Sequence, residues 1–181
     1  MTQKFFMKTS MSPFGVSASG RKKSSTIFLQ VIIVLFGVGL IVAMLWEPHL
    51  EGRNVNATLF DIYFKDPFLA YAYIGTIPFF VALYKAFKVL GYAGQNNIFS
   101  QKTINALRTI KYGVLITAAA IVGADIYLKI AARGSGDDPA GAIALGIIAT
   151  FVCIVIATAA SVFERTVQNG VKIKSENDLT V

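Results

Sequence analysis

One carboxylate lies inside an apolar run of this sequence, at Asp125, and a lysine, Lys129, follows it one helical turn later. A charged side chain is costly in lipid, so intramembrane acids often belong to a proton or cation pathway. The acid-then-base order at a spacing of four also favours an ion pair along a helix. Two interpretations follow. Asp125 is a proton or cation site, or Asp125 and Lys129 form a structural pair near one membrane surface.

The single histidine, His49, lies between Glu47 and Glu51 in a segment that also contains Asp61 and Asp66. An acidic segment of this kind can receive a cation or a cationic peptide. A histidine near carboxylates can also titrate close to neutral pH and act as a pH sensor. The alternative is a connecting loop with no ligand, which is the commoner role of a loop histidine.

Several catalytic arrangements are absent from the sequence. One His and one Cys cannot supply the paired ligands of a zinc or haem site. Glycine-rich phosphate-binding motifs do not occur, and no serine, histidine and acid are spaced for nucleophilic catalysis. The lone Cys153 excludes an intrachain disulfide. We therefore expect no enzyme activity, no metal and no cofactor.

Four apolar runs must position these residues. Each is close to the ~20 residues that a helix needs to cross ~30 Å of hydrocarbon. The composition agrees, with 55% hydrophobic and 15% charged residues. The sequence predicts an all-α integral membrane protein, a four-helix bundle whose surroundings are the lipid bilayer. The predicted segments are a flexible basic tail at 1–26, spans at 27–46, 67–90, 112–132 and 140–163, and a C-terminal tail at 164–181.

The 17 Lys and Arg residues indicate how the spans are oriented. Basic residues in short loops are retained on the cytoplasmic side. Most of them flank the N-terminus, the second connection and the C-terminus, so both termini are expected in the cytoplasm. This topology accounts for the net charge of +7. We therefore expect no direct binding of nucleic acid, which needs basic residues gathered on one folded face.

Three local patterns refine the bundle. Ser100 can cap a helix with apolar residues at Ile104, Leu107 and Ile110, which either lies on the inner surface or continues into the third span. Pro78 predicts a kink in the second span. A stripe of small residues on the fourth span predicts close packing within the bundle, with a homodimer seam as the alternative. The stripe consists of Ala142, Gly146, Ala149, Cys153, Ala157 and Ala160.

Four segments resemble a bacterial family of four-span membrane proteins known as domain of unknown function 2975. They are 77–90 (IPFFVALYKAFKVL), 97–100 (NIFS), 106–112 (ALRTIKY) and 174–181 (KSENDLTV), and the similarity covers roughly 25–181. The resemblance implies a protein of the bacterial cytoplasmic membrane. It also implies a link to a small helix-turn-helix regulator, which is often encoded beside members of the family. No catalytic or binding residues follow from it.

The favoured function is therefore a non-enzymatic accessory or sensor that acts on a soluble cytoplasmic partner, such as that regulator. The C-terminal tail would contact the partner because it extends well past the last span. One alternative is a small transporter, a channel or a protein that protects against membrane-active peptides, with Asp125 as the working residue. Another is a structural subunit of a membrane complex. The tail residues expected to bind the partner are Lys174, Glu176, Asn177, Asp178 and Val181.

Overall fold

Each apolar run forms part of a longer helix. The computed structural model describes residues 18–46, 67–135 and 138–178, and for 18–23, 134–135 and 177–178 it describes the backbone only. The described residues form four helices and no strand. The helices are α1 (Ala18–Trp46), α2 (Pro67–Gly94), α3 (Gln101–Ser135) and α4 (Ala140–Asp178).

All four helices are long and apolar enough to cross a membrane. Their most apolar stretches have mean hydropathies of 2.8, 1.5, 1.8 and 2.6. Large apolar side chains are also exposed in numbers that water would not tolerate, as at Phe28 (66%) and Phe151 (66%). The prediction of an all-α membrane protein with four spans is confirmed.

Contacts at the helix ends show that neighbouring helices are antiparallel. The Tyr73 hydroxyl, early in α2, donates to the carbonyl of Met44 near the end of α1 at 3.0 Å. The Gln30 amide, early in α1, donates to the carbonyl of Phe87 late in α2 at 3.1 Å. We call the end where α1 and α3 begin the basic end, and the other the opposite end.

The helices pack in sequence order as α1, α2, α3 and α4. Within the described residues, extensive contacts join only neighbours in the chain, and those between α3 and α4 are the largest. The buried core lies between these two helices, with Ala82 of α2 added to it. Its other members are Ile104, Leu107, Ile110, Val114, Ala118, Cys153, Ala157, Ala160 and Val167.

Small residues permit the close helix contacts. Cys153, Ala157 and Ala160 are buried on the side of α4 that joins the core, so this part of the stripe packs within the chain. Gly113 permits a close contact between α3 and α2, because a β-carbon at this position would lie 2.8 Å from the Pro78 carbonyl oxygen. A homodimer seam along the same face of α4 would have to displace α3.

The connection before α3 follows its predicted pattern. Asn96 adopts a positive φ of 55° in the turn after α2. The Ser100 hydroxyl accepts from the Thr103 amide at 3.4 Å and caps α3. Of the two alternatives for this helix, the structure has the continuous one, because α3 runs unbroken from Gln101 into the third span. Helix α2 likewise continues through Pro78.

Helices α1 and α4 extend beyond the predicted spans 27–46 and 140–163. The N-terminal tail was expected to reach residue 26, whereas α1 already begins at Ala18. The segment 164–181 was expected to be a tail after the last span, whereas α4 continues as helix to Asp178. Both extensions are uninterrupted by proline, and helix propagation adds one hydrogen bond for each further residue. Residues 1–17, the acidic connection at 47–66 with His49, and Val181 lie outside the described residues.

Candidate functional site

Asp125 lies on the side of α3 that faces α4. Its carboxylate packs directly over Gly146, where any β-carbon would collide with both carboxylate oxygens. The residue is half-buried. A charged side chain within a span costs less when it faces a neighbouring helix than when it faces lipid.

An ion pair between Asp125 and Lys129, which was one of the two interpretations of these residues, does not form in the structure. The ion pairs found among described residues do not include these two side chains. Asp125 is turned onto Gly146, while Lys129 is exposed one turn nearer the opposite end. A spacing of four brings two side chains within reach, but packing on the neighbouring helix decides where each one points.

Asp125 and Lys129 nevertheless line one groove between α3 and α4. The groove has a volume of about 270 Å³, and its walls are mostly apolar. Thr150 of α4 contributes a hydroxyl that is buried and has no hydrogen-bond partner among the described residues. The residues lining the groove are Val122, Asp125, Ile126, Lys129, Ile143, Ile147 and Thr150.

A second polar cluster lies toward the basic end and was not predicted. Glu164 of α4 is 5% exposed. One of its carboxylate oxygens accepts from Arg108 Nε at 2.9 Å, and the other accepts from Lys111 Nζ at 2.8 Å. The Gln168 amide, one turn later, adds a longer hydrogen bond of 3.4 Å. Two cations of α3 therefore hold one buried carboxylate of α4.

The two cations of this cluster favour the ionised form of the Glu164 carboxyl. Hydrogen bonding from Lys111 lowers the pKa of Glu164, burial of the carboxyl opposes this, and Arg108 lowers the pKa further. The Lys111 side chain is 21% exposed and that of Arg108 is 52% exposed. Water solvates the charge of Lys111 less than that of Arg108, so Lys111 relies more on Glu164 as its counter-ion.

The helices stay packed beyond the cluster. We call residues 99–111 together with 164–176 the basic-end extension. Inside it, Thr103 is fully buried, Phe99 packs against Gly170, and Val171 packs on the core. Its surface carries Lys172 and Ile173, both exposed. The extension gives the last turns of α4 a fixed position relative to α3.

The predicted partner-binding residues lie at the end of this extension. Lys174 and Glu176 are exposed, and Glu176 lies 4.0 Å from Lys172 in an ion pair along the helix. Asn177 and Asp178 are in the last turn of α4. Within the described residues, no three His, Cys, Asp or Glu side chains gather as a metal site would require.

The comparisons with known proteins agree with this architecture. The family described as "Protein of unknown function (DUF2975)" matches residues 56–181, well over half of the chain. This chain belongs to the DUF2975 family. A relative in Bacillus subtilis (strain 168), named "Uncharacterized membrane protein YoaS", is 37% identical over 163 residues. The alignment covers 88% of this chain and 99% of the relative. No solved structure matches the chain.

The match to DUF2975 includes all of α2, α3 and α4, and with them both polar clusters. Helix α1 lies before the matched residues. The resemblance was predicted over roughly 25–181; the family match covers 56–181, and the Bacillus relative aligns with 88% of the chain. The DUF2975 protein described here is a membrane protein with four candidate spans.

Proposed function

We propose that this protein is a non-enzymatic accessory or sensor of the bacterial cytoplasmic membrane. In this proposal both termini lie in the cytoplasm, and the basic-end extension acts on a soluble partner there. The family resemblance favours a small helix-turn-helix regulator as that partner. The distribution of Lys and Arg supports the orientation, because basic flanks resist translocation.

The observation that carries the proposal is the length of the packed α3–α4 pair. Helix α3 has 35 residues and α4 has 39, or about 52 and 58 Å at ~1.5 Å per residue. A hydrocarbon core is only ~30 Å thick. Both helices therefore continue past the lipid, and the side where they remain packed together is the basic end.

The surface of the extension suits a protein partner. Ile173 is 59% exposed although it lies ten residues past the last apolar run. Lys172, Lys174 and Glu176 surround it with charges of both signs. An apolar side chain within a charged rim is a common arrangement at the centre of protein contacts. This surface is presented by a helix that Glu164 fixes against α3.

A bacterial two-hybrid assay and a pull-down with the neighbouring helix-turn-helix regulator test the proposal. We expect deletion of residues 171–181 to abolish recovery of the regulator, and Ile173→Ala to reduce it several-fold. Val162→Ala is the matched control, since Val162 is equally exposed, at 59%, on the same helix but within the apolar run. Unchanged recovery after the deletion counts against the proposal.

The groove around Asp125 favours a second candidate, a small transporter, channel or peptide-protection protein. Its support is a carboxylate within a span that has no ion-pair partner among the described residues. Asp125→Asn should then alter ion flux, pH response or tolerance of membrane-active peptides. If all three stay at the wild-type level in cells with equal amounts of protein, this candidate loses its basis.

A structural subunit of a larger complex is a further alternative. Crosslinking at Cys153 is not a suitable test of it, because that side chain is 6% exposed within the α3–α4 core. A cysteine introduced on an outward-facing position of α4, such as Phe151, would report on a neighbouring subunit, since Phe151 is 66% exposed.

A further inference from the structure

The threonines of α3 and α4 differ in one respect. Thr117, Thr158 and Thr166 each donate a hydroxyl hydrogen bond to the carbonyl four residues earlier in their own helix, at 3.0, 2.9 and 3.1 Å. This is the usual way for a threonine in a membrane helix to satisfy its hydroxyl. The hydroxyl oxygen of Thr150 is buried and makes no such bond. A buried hydroxyl without a partner is costly, so it needs an explanation.

Thr150 lies one helical turn from Gly146, the residue over which Asp125 packs. Both polar groups line the same groove, and neither has a hydrogen-bond or ion-pair partner among the described residues. A carboxylate accepts hydrogen bonds only, while a hydroxyl both donates and accepts. Asp125 contributes from α3 and Thr150 from α4, and most of the other residues that line the groove are apolar.

The groove is connected to the opposite end of the helices. A second cavity, of about 540 Å³, shares Lys129, Ile143 and Ile147 with it and extends to Arg133 and Asp138. The groove therefore adjoins the surface at that end. The volume of about 270 Å³ around Asp125 is close to the lower limit of ordinary small-molecule pockets.

We propose that this groove binds an amphiphilic alkylammonium ion, with its N–H groups on Asp125 and Thr150 and its apolar body along Ile126, Ile143 and Ile147. An anion would be repelled by Asp125. A neutral apolar molecule would fill the groove but leave both polar groups without partners. An ammonium group with several N–H donors satisfies the carboxylate by a charge-assisted hydrogen bond and reaches the hydroxyl as well.

Lys129 lines the groove but makes no ion pair with Asp125. It is one turn nearer the opposite end, and its long side chain can keep its ammonium group in the polar surface region. The proposal concerns binding only. It does not depend on the cytoplasmic partner or on transport.

Equilibrium dialysis of radiolabelled octylammonium against nanodiscs that hold the full chain tests the proposal, with empty nanodiscs subtracted. We expect saturable binding of one molecule per chain. Loss of the ion pair predicts that Asp125→Asn raises the Kd at least ~tenfold, and loss of the hydrogen bond from the ammonium to an uncharged hydroxyl predicts an increase of about three- to tenfold for Thr150→Val. Thr158→Val is the matched control, since its hydroxyl bonds within its own helix, and its Kd should equal that of the wild type.

Competition in the wild-type protein keeps the proposal testable if a variant fails to fold. Unlabelled octylammonium should displace the label, whereas octanol and octyl sulfate should not, and octyltrimethylammonium should compete at least ~tenfold more weakly because it lacks N–H donors. No saturable binding above empty nanodiscs would overturn the proposal. Equal displacement by octanol, which shows apolar filling only, or an unchanged Kd in Asp125→Asn would also overturn it.

Discussion

The carboxylate of Glu164 accepts a hydrogen bond from Lys111 at 2.8 Å across the interface between α3 and α4. This contact lies where the apolar runs of the two helices end. Lys111 comes just before the run in α3, and Glu164 comes just after the run in α4. The Asp125 groove lies between the same two helices toward the opposite end, and the basic-end extension lies on the other side of the contact. The interface is therefore the structural element that both proposals share.

Replacing Glu164 should weaken the interface. Glu164→Gln leaves Lys111 partly buried without a counter-ion, and removal of one partner from a buried pair costs up to ~3–5 kcal/mol. Because Arg108 remains hydrated, we expect a smaller loss of about 2 kcal/mol in the free energy of unfolding. Unfolding of the purified protein in mixed detergent micelles with rising SDS measures it.

Glu176→Gln is the control for that measurement. Glu176 lies on the same helix in an exposed ion pair with Lys172, at 4.0 Å. Exposed pairs contribute little, so the change should be under about 0.5 kcal/mol. Equal losses for the two variants would mean that the buried cluster does not hold α3 against α4.

Lys111 and Arg108 should contribute unequally to the free energy of unfolding. Lys111 is less exposed than Arg108, at 21% against 52% of the side chain, so its hydrogen bond to Glu164 is less replaceable by water. We expect Lys111→Gln to lower the free energy of unfolding about twofold more than Arg108→Gln. The SDS titration used for Glu164 measures both, and a larger effect at Arg108 contradicts this ranking.

The same cluster predicts a dependence on pH. Hydrogen bonding from Lys111 holds the pKa of Glu164 below its usual value of about 4.3. A lowered pKa in the folded state means that the stabilisation is fully present above the unfolded pKa. It is lost as the pH falls through the lower, folded one. The difference in unfolding free energy between wild type and Glu164→Gln should therefore be constant from pH 7 to about 5.5 and shrink toward pH 3.

A β-carbon at position 146 should disturb Asp125. Gly146→Ala forces the carboxylate away from α4, and we expect a loss of about 1–3 kcal/mol in unfolding free energy, as for other overpacked contacts. The loss should be much smaller in an Asp125→Ala background, which a double-mutant cycle measures. Gly141→Ala is the control, because nothing lies within 4 Å of a β-carbon there. Additive effects of the two substitutions would contradict the contact.

The sequence could predict the features that depend on the lipid surroundings or on local sequence signals. Spans surrounded by lipid are apolar on all sides, so their number and approximate positions follow from hydropathy. Ser100 was predictable as a cap because that signal is local. The small residues at Cys153, Ala157 and Ala160 likewise indicated the packed face of α4 before its partner helix was known.

The polar clusters were less predictable because they depend on how α3 is aligned with α4. Glu164 and Lys111 are 53 residues apart, and their pairing follows from helix register and packing. The spacing of Arg108 and Lys111, three residues apart on one face, was the only local signal. For Asp125, the spacing allowed a pair with Lys129 as one of two alternatives, whereas the structure places the carboxylate over Gly146.

The central claim, that the basic-end extension lies in the cytoplasm of a membrane-embedded protein, is tested most directly by cysteine accessibility. Lys174→Cys and Arg133→Cys, each in a Cys153→Ala background, place one exposed thiol at the basic end and one at the opposite end. In intact cells, a membrane-impermeant maleimide should label Cys at 133 and reach Cys at 174 only after permeabilisation. Labelling of Cys at 174 in intact cells, with Cys at 133 protected, would contradict the account.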